Sequence, residues 1–365
     1  MNRMLSLFLS HLFKIGDLTI TDASGTVTQW GDGTGAPLHI RFNSRAAERA
    51  VALHPSLKFG EAYMDGEIDV VSGSIYDVLS LIFRNADRGT AAREPWMRAI
   101  ARMRLLYRRY IQNNTPTRAR ANVQHHYDLA GALYDLFLDP DRQYSCAYFE
   151  NAEATLDEAQ RAKKRHIAAK LHFDRPGLRT LDIGCGWGGM GLYLAQRLEA
   201  DVTGITLSDE QLAIARRRAE AASLADRARF RIEDYRDVEG RFDRIVSVGM
   251  FEHVGVDFYE AYFRRCAELM EEDGVMLLHT IGRFEEPTNT NPFIARYIFP
   301  GGYIPALSEV TGAIERAGLI VTDVEVLRLH YAETLRHWRE RFALRRDEAK
   351  ALYDERFCRM WELDL

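Results

Sequence analysis

The chain is short of cysteine and carries no excess of positive charge. Its four cysteines, Cys146, Cys185, Cys266 and Cys358, never stand in CxxC spacing, which excludes a zinc ribbon and gives no disulfide framework. We therefore expect a reducing cytosol and no metal site. The formal net charge of −5 argues against a dedicated nucleic-acid-binding protein, because such proteins usually carry a strongly basic surface. We expect no nucleic-acid partner.

A long hydrophobic run is also missing. The apolar stretch over residues 1–14 is interrupted by serine and histidine, and no small-residue cleavage site follows it. It therefore does not fit a signal peptide, and it is too short to span a bilayer. A short amphipathic helix fits better, because helical spacing relates Met4, Leu5, Phe8, Leu12 and Ile15. That helix either packs on its own domain or lies on a membrane surface.

The length of 365 residues favours two domains, and 47% hydrophobic residues suffice for ordinary packed cores. A basic run precedes the expected boundary, since eight arginines but a single acid, Glu94, stand between Arg93 and Arg120. This run is either a solvated helix face or a contact with anionic lipid head groups. The segment Asn113-Asn114-Thr115-Pro116-Thr117 interrupts it and predicts a linker over residues 113–120.

The N-terminal half has a mixed pattern without a catalytic grouping. Alternation predicts strands at residues 18–21 and 38–42 with a turn at residues 32–35, and residues 75–83 have the pattern of a helix. One compact signature is Phe59-Gly60-Glu61-Ala62-Tyr63-Met64-Asp65-Gly66. We interpret its local structure as a tight turn with an aromatic anchor.

From about residue 178 strands and helices alternate, which predicts an α/β, doubly wound parallel sheet with helices on both faces. Six strands are expected, at residues 179–183, 201–206, 228–232, 242–249, 275–281 and 319–328. Helices are expected near residues 190–198, 209–222, 258–271 and 308–317. A glycine-rich loop follows the first strand, at the carboxyl end where a doubly wound fold places its ligand.

This loop satisfies the GxGxxG pattern over Leu181-Asp182-Ile183-Gly184-Cys185-Gly186-Trp187-Gly188-Gly189, which by itself is a weak signal. In a dinucleotide site such glycines cradle a pyrophosphate at a helix N-terminus. Two features favour a sulfonium amino-acid cofactor and hence a methyltransferase. Asp182 can pair with an α-ammonium group, and the second strand ends in Thr206-Leu207-Ser208 without the usual ribose-binding acid. The loop alone leaves both interpretations open.

Five further motifs surround the loop in order along the chain. They are Gln124-His125-His126-Tyr127-Asp128, Gln143-Tyr144-Ser145-Cys146-Ala147-Tyr148-Phe149, Phe251-Glu252-His253-Val254-Gly255, Leu278-His279-Thr280-Ile281-Gly282 and Tyr297-Ile298-Phe299-Pro300-Gly301-Gly302. With the loop, they resemble the cyclopropane-fatty-acyl-phospholipid synthase family of class I S-adenosylmethionine-dependent methyltransferases over most of the chain. The signature at residues 60–66 resembles the small lipid-binding domain of the phospholipid-acting members.

The resemblance implies two domains and a cofactor site. A smaller α+β lipid-binding domain with a basic helical end would cover residues 1–112, and a Rossmann-like methyltransferase domain would cover residues 121–365. S-adenosyl-L-methionine would be held by Tyr144, Ser145, Asp182, Gly184, Gly186, Gly188, Thr206, Gln211, Asp234 and Tyr235. Of these, Thr206 and Gln211 would take the ribose contacts, and Asp234 and Tyr235 would line the adenine end. All ten stand at or just past strand ends, on one side of the predicted sheet.

The resemblance also implies a reaction, in which a methyl group is transferred to a cis double bond of a phospholipid acyl chain before proton loss and ring closure. Bound bicarbonate would be the base, in a pocket formed by Cys146, Glu252, His279, Ile281 and Tyr331. Glu252 would accept a hydrogen bond from protonated bicarbonate and raise its basicity. The implied partners are a membrane phospholipid with cis-unsaturated acyl chains and an anionic membrane surface, with a homodimer as a candidate assembly. The implied location is cytoplasmic, peripherally associated with the inner face of the cell membrane.

Each catalytic candidate also has a structural interpretation. A lone cysteine such as Cys146 is more often a small buried apolar residue, and His279 on an apolar strand is more often a satisfied core histidine. Glu252 favours function even without the resemblance, because an unpaired carboxylate at a buried strand end costs several kcal/mol. Tyr331 depends on the resemblance alone, and we assign Cys185 in the loop to packing.

Two regions leave alternatives open. One is an aromatic and aliphatic stretch, either core packing or the lid of an acyl-chain channel, formed by Phe293, Tyr297, Ile298, Phe299, Tyr303 and Ile304. The other is the end at Leu365, since family members run on through a helix and a strand that inserts beside strand five. We therefore expect the final sheet strand to be missing.

Two alternative functions follow from these uncertainties. The protein could be an acyl-chain methyltransferase that does not close the ring. It could also be an inactive lipid-binding module whose shortened C-terminus prevents turnover.

Overall fold

The structure is a computed structural model in which residues 1–86 and 131–365 are described. Residue contacts divide these residues into two compact units. Unit 1 comprises residues 1–86 with Thr288–Ile298 and Arg346–Leu365, and unit 2 comprises residues 131–287 with Phe299–Arg345. The predicted linker at residues 113–120, the basic run and the motif at residues 124–128 lie outside the described residues. The predicted domain limits therefore stay predictions.

Unit 1 begins with the helix expected from the apolar spacing. Helix α1 covers Arg3–Leu12, so the predicted amphipathic helix is confirmed. Its buried stripe belongs to the core of this unit and consists of Leu5, Leu9 and Leu12. On the other face Leu7 leaves 61% of its surface exposed. The helix thus packs on its own unit while it keeps apolar surface in solvent.

A four-stranded sheet forms the centre of unit 1. Its strands are β1 (Asp17–Thr21), β2 (Val27–Trp30), β3 (Pro37–Phe42) and β4 (Ile68–Ser72). Their order is β2-β1-β3-β4, with β1 parallel to β3 and the other neighbours antiparallel. The two strands predicted in this half are confirmed as β1 and β3, whereas the sequence pattern missed β2 and β4.

Three helices follow in the N-terminal part of this unit. They are α2 (Arg45–Leu53), α3 (Pro55–Met64) and α4 (Ile75–Ala86). The helix predicted at residues 75–83 is confirmed as α4. The interpretation of residues 59–66 as a tight turn is wrong, because Pro55 starts a helix that runs to Met64. The turn follows the helix at Asp65 and Gly66, and Gly66 has a φ of +72°.

The segment Thr288–Ile298 contacts α3 within unit 1 through hydrogen bonds and packing. The buried carboxylate of Glu61 accepts hydrogen bonds from Arg296 Nη1 at 3.0 Å and from Tyr297 Oη at 2.9 Å. The ring of Phe293 lies where a Cβ on Gly60 would meet it at 2.5 Å. In the aromatic stretch, Phe293, Ile298 and Tyr303 are buried. These residues are packed as core residues, and a lid role stays a prediction.

Unit 2 contains the parallel sheet. Its strands are β5 (Arg179–Ile183), β6 (Asp201–Thr206), β7 (Ala228–Ile232), β8 (Phe242–Val248) and β9 (Met270–His279). The order is β7-β6-β5-β8-β9, and every neighbouring pair is parallel. The α/β doubly wound sheet is therefore confirmed. The central strands β5 and β8 are almost wholly buried, as strands of a parallel sheet covered on both faces should be.

Helices cover and follow this sheet. Those of unit 2 are α5 (Gly131–Phe137), α6 (Leu156–Lys170), α7 (Gly189–Arg197), α8 (Asp209–Ala221), α9 (Tyr259–Leu269), α10 (Leu307–Arg316) and α11 (Arg328–Leu344). Two C-terminal helices, α12 (Arg346–Leu352) and α13 (Glu355–Asp364), belong to unit 1. Helix α6 starts with a capping box in which Thr155 and Glu158 satisfy each other's backbone N–H groups.

The sixth predicted strand is wrong. Residues 319–327 have no regular secondary structure, and Ile320 is 87% exposed. Asp323 and Glu325 form ion pairs with Lys170 of α6, which holds this segment beside the helix rather than beside the sheet. Within the described residues β9 therefore pairs only with β8.

The strand order explains where a ligand can bind. From β5 the chain builds outward through β6 to β7, and it then returns to place β8 on the other side of β5. The carboxyl ends of β5 and β8 thus form a topological switch point, which is the crevice that doubly wound folds use for ligands. In the described parts of the chain, we find no helix with the length and apolarity needed to cross a membrane.

Candidate active site

The glycine-rich loop joins β5 to α7 at this switch point. Gly184, Gly186 and Gly188 have φ angles of +78°, +53° and +82°, in the left-handed region that favours glycine. A Cβ on Gly184 would also lie 2.7 Å from the Cβ of Met250. The loop therefore needs glycine at this position for both its backbone conformation and its close packing.

A cleft opens above the loop and encloses about 1130 Å³, including space that is open to solvent. Nine of the ten predicted cofactor residues line it, namely Tyr144, Ser145, Asp182, Gly184, Gly186, Thr206, Gln211, Asp234 and Tyr235. Gly188 is the one that does not, because it faces Phe230 and Ala215 instead. These residues come from the ends of β5, β6 and β7, from the start of α8 and from the segment after α5.

Asp182 supplies a buried carboxylate to this cleft. Its Oδ2 atom is buried and has no hydrogen-bond partner among the described residues. Burial raises the pKa of Asp182 to about 7, against the opposing effect of the nearby Gly191 N–H. A ligand that carries ammonium or hydroxyl donors would give this oxygen the partner that buried polar atoms normally have. The site therefore fits an amino-acid-bearing cofactor better than a pyrophosphate, which would repel the carboxylate.

The far side of the cleft lies at the ends of β6 and β7. Thr206 Oγ1 donates a hydrogen bond of 2.8 Å to Gln211 Oε1, which joins the end of β6 to the start of α8. Asp234 accepts hydrogen bonds of 3.0 Å from the backbone and the guanidinium of Arg236. Burial raises the pKa of Tyr235 to about 12, so its phenol stays protonated and can donate.

Two of the predicted catalytic residues are in direct contact. Glu252 is buried, and its Oε1 atom accepts a hydrogen bond of 2.7 Å from the Ile281 N–H. Its Oε2 atom is buried without a hydrogen-bond partner in the described residues. Burial raises the pKa of this carboxyl group, against the opposing effect of the Ile281 N–H. One oxygen of Glu252 is thus fixed, and the other is buried without a partner in the described residues, although Glu252 is not among the residues that line the cleft.

Cys146 and Tyr331 are related only indirectly, through their neighbours Ala147 and Thr334. The Ala147 N–H donates to Thr334 Oγ1 at 2.9 Å, and Thr334 is one helical turn after Tyr331 in α11. Burial raises the pKa of the Cys146 thiol to about 11, while nearby Lys163 opposes the shift. Cys146 is therefore a neutral thiol at physiological pH, and its environment does not activate it as a nucleophile.

His279 ends β9, and its carbonyl oxygen accepts a hydrogen bond of 2.9 Å from the Gly249 N–H at the end of β8. Burial, together with the smaller effect of the Lys163 charge, lowers the pKa of His279 to about 4. The imidazole is therefore neutral and can act only as a polar hydrogen-bonding group. Lys163 thus interacts electrostatically with both His279 and Cys146, and the sequence interpretation did not include it.

Other residues at the site were also missed. Arg142, Trp187, Met250 and His253 line the cleft. His253 follows Glu252 directly within a recognised motif, so the motif could have indicated it. Lys163 had a different signal. It shares one helical face of α6 with other buried residues, and a lysine at such a position is unusual.

Comparisons with known proteins agree with this geometry. The family model described as "Mycolic acid cyclopropane synthetase" matches residues 114–365, and a "Domain of unknown function (DUF7884)" matches residues 4–93. The cyclopropane-fatty-acyl-phospholipid synthase of Escherichia coli K12 is 37% identical over 326 residues, which cover 89% of this chain and 82% of the relative.

Two further relatives bear on the function. A "Probable fatty acid methyltransferase" of Pseudomonas putida is 45% identical over 251 residues, which cover 67% of this chain and 63% of the relative's length. The solved structure of mycolic acid cyclopropane synthase CmaA1, complexed with SAH and CTAB, is 36% identical with a TM-score of 0.63. That match covers 67% of this chain and 90% of the other. The Rossmann-like methyltransferase fold is thereby confirmed.

Proposed function

Because the chain belongs to the mycolic acid cyclopropane synthetase family, we propose that it transfers a methyl group from S-adenosylmethionine to a cis double bond of a phospholipid acyl chain, and that a cyclopropane ring then closes after bicarbonate-assisted deprotonation. One observation carries this proposal. A buried glutamate, Glu252, holds one oxygen against Ile281 and keeps the other without a partner in the described residues.

The cleft supports binding of the cofactor. S-adenosylmethionine, when bound, supplies the activated methyl group. The unpartnered Oδ2 of Asp182 would accept from a donor of the cofactor, and the glycines of the loop allow its close approach. Thr206 and Gln211 would meet the ribose, and Tyr235 would meet the adenine end. The related CmaA1 structure contains SAH, which supports the same ligand class here.

An alkene is a weak nucleophile, so the enzyme has to hold it against the methyl group in near-attack geometry. The cation that results must be sheltered from water until it loses a proton. Burial of Glu252 and His279 supports such shelter. Both groups would be suitable neighbours for a cation, because His279 is neutral and Glu252 offers a carboxyl oxygen.

The predicted catalytic group supports a small bound anion. Bicarbonate, when bound, supplies the base. Glu252 would accept its hydrogen bond through Oε2, while the neutral imidazole of His279 and the thiol of Cys146 would orient it. Tyr331 would complete the site from α11. None of these side chains needs to remove the proton itself.

The phospholipid and membrane parts of the proposal depend on the relatives and on unit 1. The E. coli relative is named for a phospholipid acceptor. In unit 1, Met4 and Leu7 expose apolar surface on α1, which supports peripheral contact with a membrane. That this membrane surface is anionic and lies at the cytoplasmic face is part of the proposal. We include a homodimer as the candidate assembly.

A second candidate is acyl-chain methylation without ring closure. It would use the same cleft and differ only in how the cation is quenched. The name of the P. putida relative favours it. The third hypothesis is that the protein is an inactive lipid-binding module.

One experiment separates the three. The protein is incubated with labelled S-adenosylmethionine and vesicles of cis-unsaturated phospholipid, and the acyl chains are analysed by mass spectrometry. A gain of one CH2 with loss of the double bond supports cyclopropanation. A methyl or methylene branch supports the second candidate, and vesicle binding without any transfer overturns both enzymatic readings.

A further inference from the structure

Helix α6 directs three buried polar side chains towards the segment that follows α5. Gln160, Lys163 and Lys164 expose 0%, 2% and 8% of their surface. Lys163 and Lys164 follow Gln160 by three and four residues, so both lie next to it on one face of the helix. Burial of two lysines on one helix face is costly and therefore calls for a reason.

All three side chains hold the segment at residues 141–145. Gln160 Nε2 donates to the carbonyl oxygens of Gln143 at 3.1 Å and of Ser145 at 3.0 Å. Lys163 Nζ donates to Ser145 Oγ at 2.7 Å, and Lys164 forms an ion pair with Asp141. The helix thus fixes both the backbone and the side chain of Ser145.

Lys163 is the unusual member of the three. Unlike Lys164, it has no carboxylate within 4.0 Å in the described parts of the chain. The titratable groups that face it are Asp139, Cys146 and His279, besides its neighbour Lys164. Cys146 and His279 are neutral at physiological pH, and the carboxylate of Asp139 favours the charged form of Lys163 without forming an ion pair with it. The ammonium group is therefore poorly compensated by the protein itself.

The hydrogen bond from Lys163 determines what Ser145 can do. Since Ser145 Oγ accepts from the ammonium group, its own O–H must donate in another direction. Ser145 lines the cleft. The adjacent positive charge polarises this hydroxyl, so it becomes a stronger donor, and the best partner for such a donor is an anion.

The strand order indicates which end of a ligand Ser145 would meet. Its Cβ lies 3.8 Å from the position that a Cβ on Gly249 would take, just past β8. Thr206 and Asp234 stand at the ends of β6 and β7, on the opposite side of β5. A cofactor whose nucleoside lies over β6 and β7 would therefore place its amino-acid end, with its α-carboxylate, next to Ser145.

We propose that Lys163 is a positioning residue that turns the Ser145 hydroxyl towards the α-carboxylate of the cofactor and supplies the positive charge of this carboxylate site. The inference rests on the proposed function, because it assumes an amino-acid-bearing cofactor in the cleft. It adds α6, which does not itself line the cleft, to the parts of the molecule that determine cofactor affinity. Measurements of cofactor binding test this inference without lipid, so the result of the test does not depend on the acyl-chain reaction.

The test compares two ligands that differ at the amino-acid end. S-adenosylhomocysteine carries the carboxylate and 5′-methylthioadenosine lacks the amino-acid end, and the affinity of each is measured by calorimetry. For Lys163→Met we expect about a tenfold loss for S-adenosylhomocysteine, as for one charge-assisted hydrogen bond, and no loss for methylthioadenosine. Equal losses for both ligands would mean a general structural role and would overturn the proposal.

Two further variants make the test specific. Lys170→Met removes a half-buried lysine of the same helix that pairs with Asp323 and Glu325 and does not line the cleft, and it should bind both ligands like the wild type. Ser145→Ala should weaken S-adenosylhomocysteine to a similar extent as Lys163→Met, and the double variant should be no weaker than Ser145→Ala. Additive losses would contradict an action through Ser145.

The pH dependence provides a readout that packing alone would not move. Burial lowers the pKa of Lys163 to about 7, and a bound carboxylate favours the charged form. Asp182 titrates in the same pH range in every variant, so the quantity compared is the ratio of the wild-type affinity for S-adenosylhomocysteine to that of Lys163→Met or of Ser145→Ala. Both ratios should be largest below pH 7 and fall above it. If Lys163→Met does not fold, Ser145→Ala carries this comparison. Unchanged cofactor affinity combined with a raised bicarbonate requirement would show that the anion is bicarbonate and overturn the assignment.

Discussion

One carboxylate oxygen of Glu252 accepts a hydrogen bond of 2.7 Å from the backbone N–H of Ile281. The other oxygen is buried without a partner in the described residues. Glu252 follows β8 and Ile281 follows β9, so neighbouring strands of the sheet bring them together. A charge in this position is costly to bury. The arrangement is understandable if a ligand completes the hydrogen bonding of the second oxygen.

The first prediction concerns this second oxygen. Glu252→Gln keeps the size of the side chain but replaces an acceptor with a donor. We expect methyl transfer to phospholipid to fall by about 100-fold or more, in the range usual for loss of acid–base assistance, while S-adenosylhomocysteine binds as before. The exposed Glu315→Gln serves as the matched control. Unchanged turnover of Glu252→Gln would remove Glu252 from the mechanism.

The second prediction concerns the stability of the protein without cofactor. Burial raises the pKa of Asp182 from 3.8 to about 7, so the folded protein binds this proton more tightly than the unfolded chain does. The free energy of unfolding should therefore fall as the pH rises from 4 through 7, by about 4 kcal/mol from this group alone. Asp182→Asn should lack this contribution and be more stable than the wild type at pH 8.

Urea unfolding of both proteins at pH 5 and pH 8 measures this difference. Asp182→Asn should also bind S-adenosylhomocysteine at least about tenfold more weakly, because an amide supplies a weaker acceptor than a carboxylate. An equal pH dependence in the two proteins would show that the Asp182 carboxyl is not buried as the geometry indicates.

A pair of glycine variants tests the loop. Gly184 and Gly177 both have positive φ angles, but only at Gly184 would a Cβ meet another atom, Met250 Cβ at 2.7 Å. Gly177→Ala should cost about 1 kcal/mol, from backbone strain alone. Gly184→Ala should cost clearly more and should also weaken cofactor binding, which thermal unfolding and calorimetry would measure. Similar losses in both variants would mean that packing against Met250 is unimportant.

The cysteines offer a test of burial. All four are buried, and burial raises the pKa of Cys146 to about 11 and that of Cys266 to about 12. Thiolates, rather than thiols, react with Ellman's reagent. In the native protein the reaction should be slow at every cysteine, whereas all four should react promptly in denaturant. A fast phase equivalent to one thiol at pH 8, mapped to Cys146, would contradict its assignment as a neutral thiol.

Local sequence patterns predicted the strands of the parallel sheet even where their partners are distant in the chain, as in the pair β5 and β8. The strands β5 to β8 have short apolar runs bounded by turns, and each run was recognised. Residues 319–328 have a similar pattern but no strand, because a strand also requires a neighbouring ladder. Their acidic residues pair instead with Lys170, a contact that local periodicity does not encode.

The candidate site divides in the same way. The glycine loop and Asp182 were recognisable because their requirements are local, namely positive φ angles and a carboxylate at a strand end. Lys163 was missed, although it contacts Ser145, because its importance depends on a contact across 18 residues of sequence. A sequence pattern predicts that a lysine in a helix is solvent-exposed, unless the buried residues on the same helix face are taken into account.

By itself the sequence determined the doubly wound class of the sheet, the glycine loop and the motifs that surround it, since these follow from residue type and short spacing. Only the tertiary structure decided which side chains are neutral and which buried oxygens lack a partner. It also decided which helix holds Ser145. Those properties depend on burial, and burial of a side chain is set by residues that are distant in sequence and packed around it.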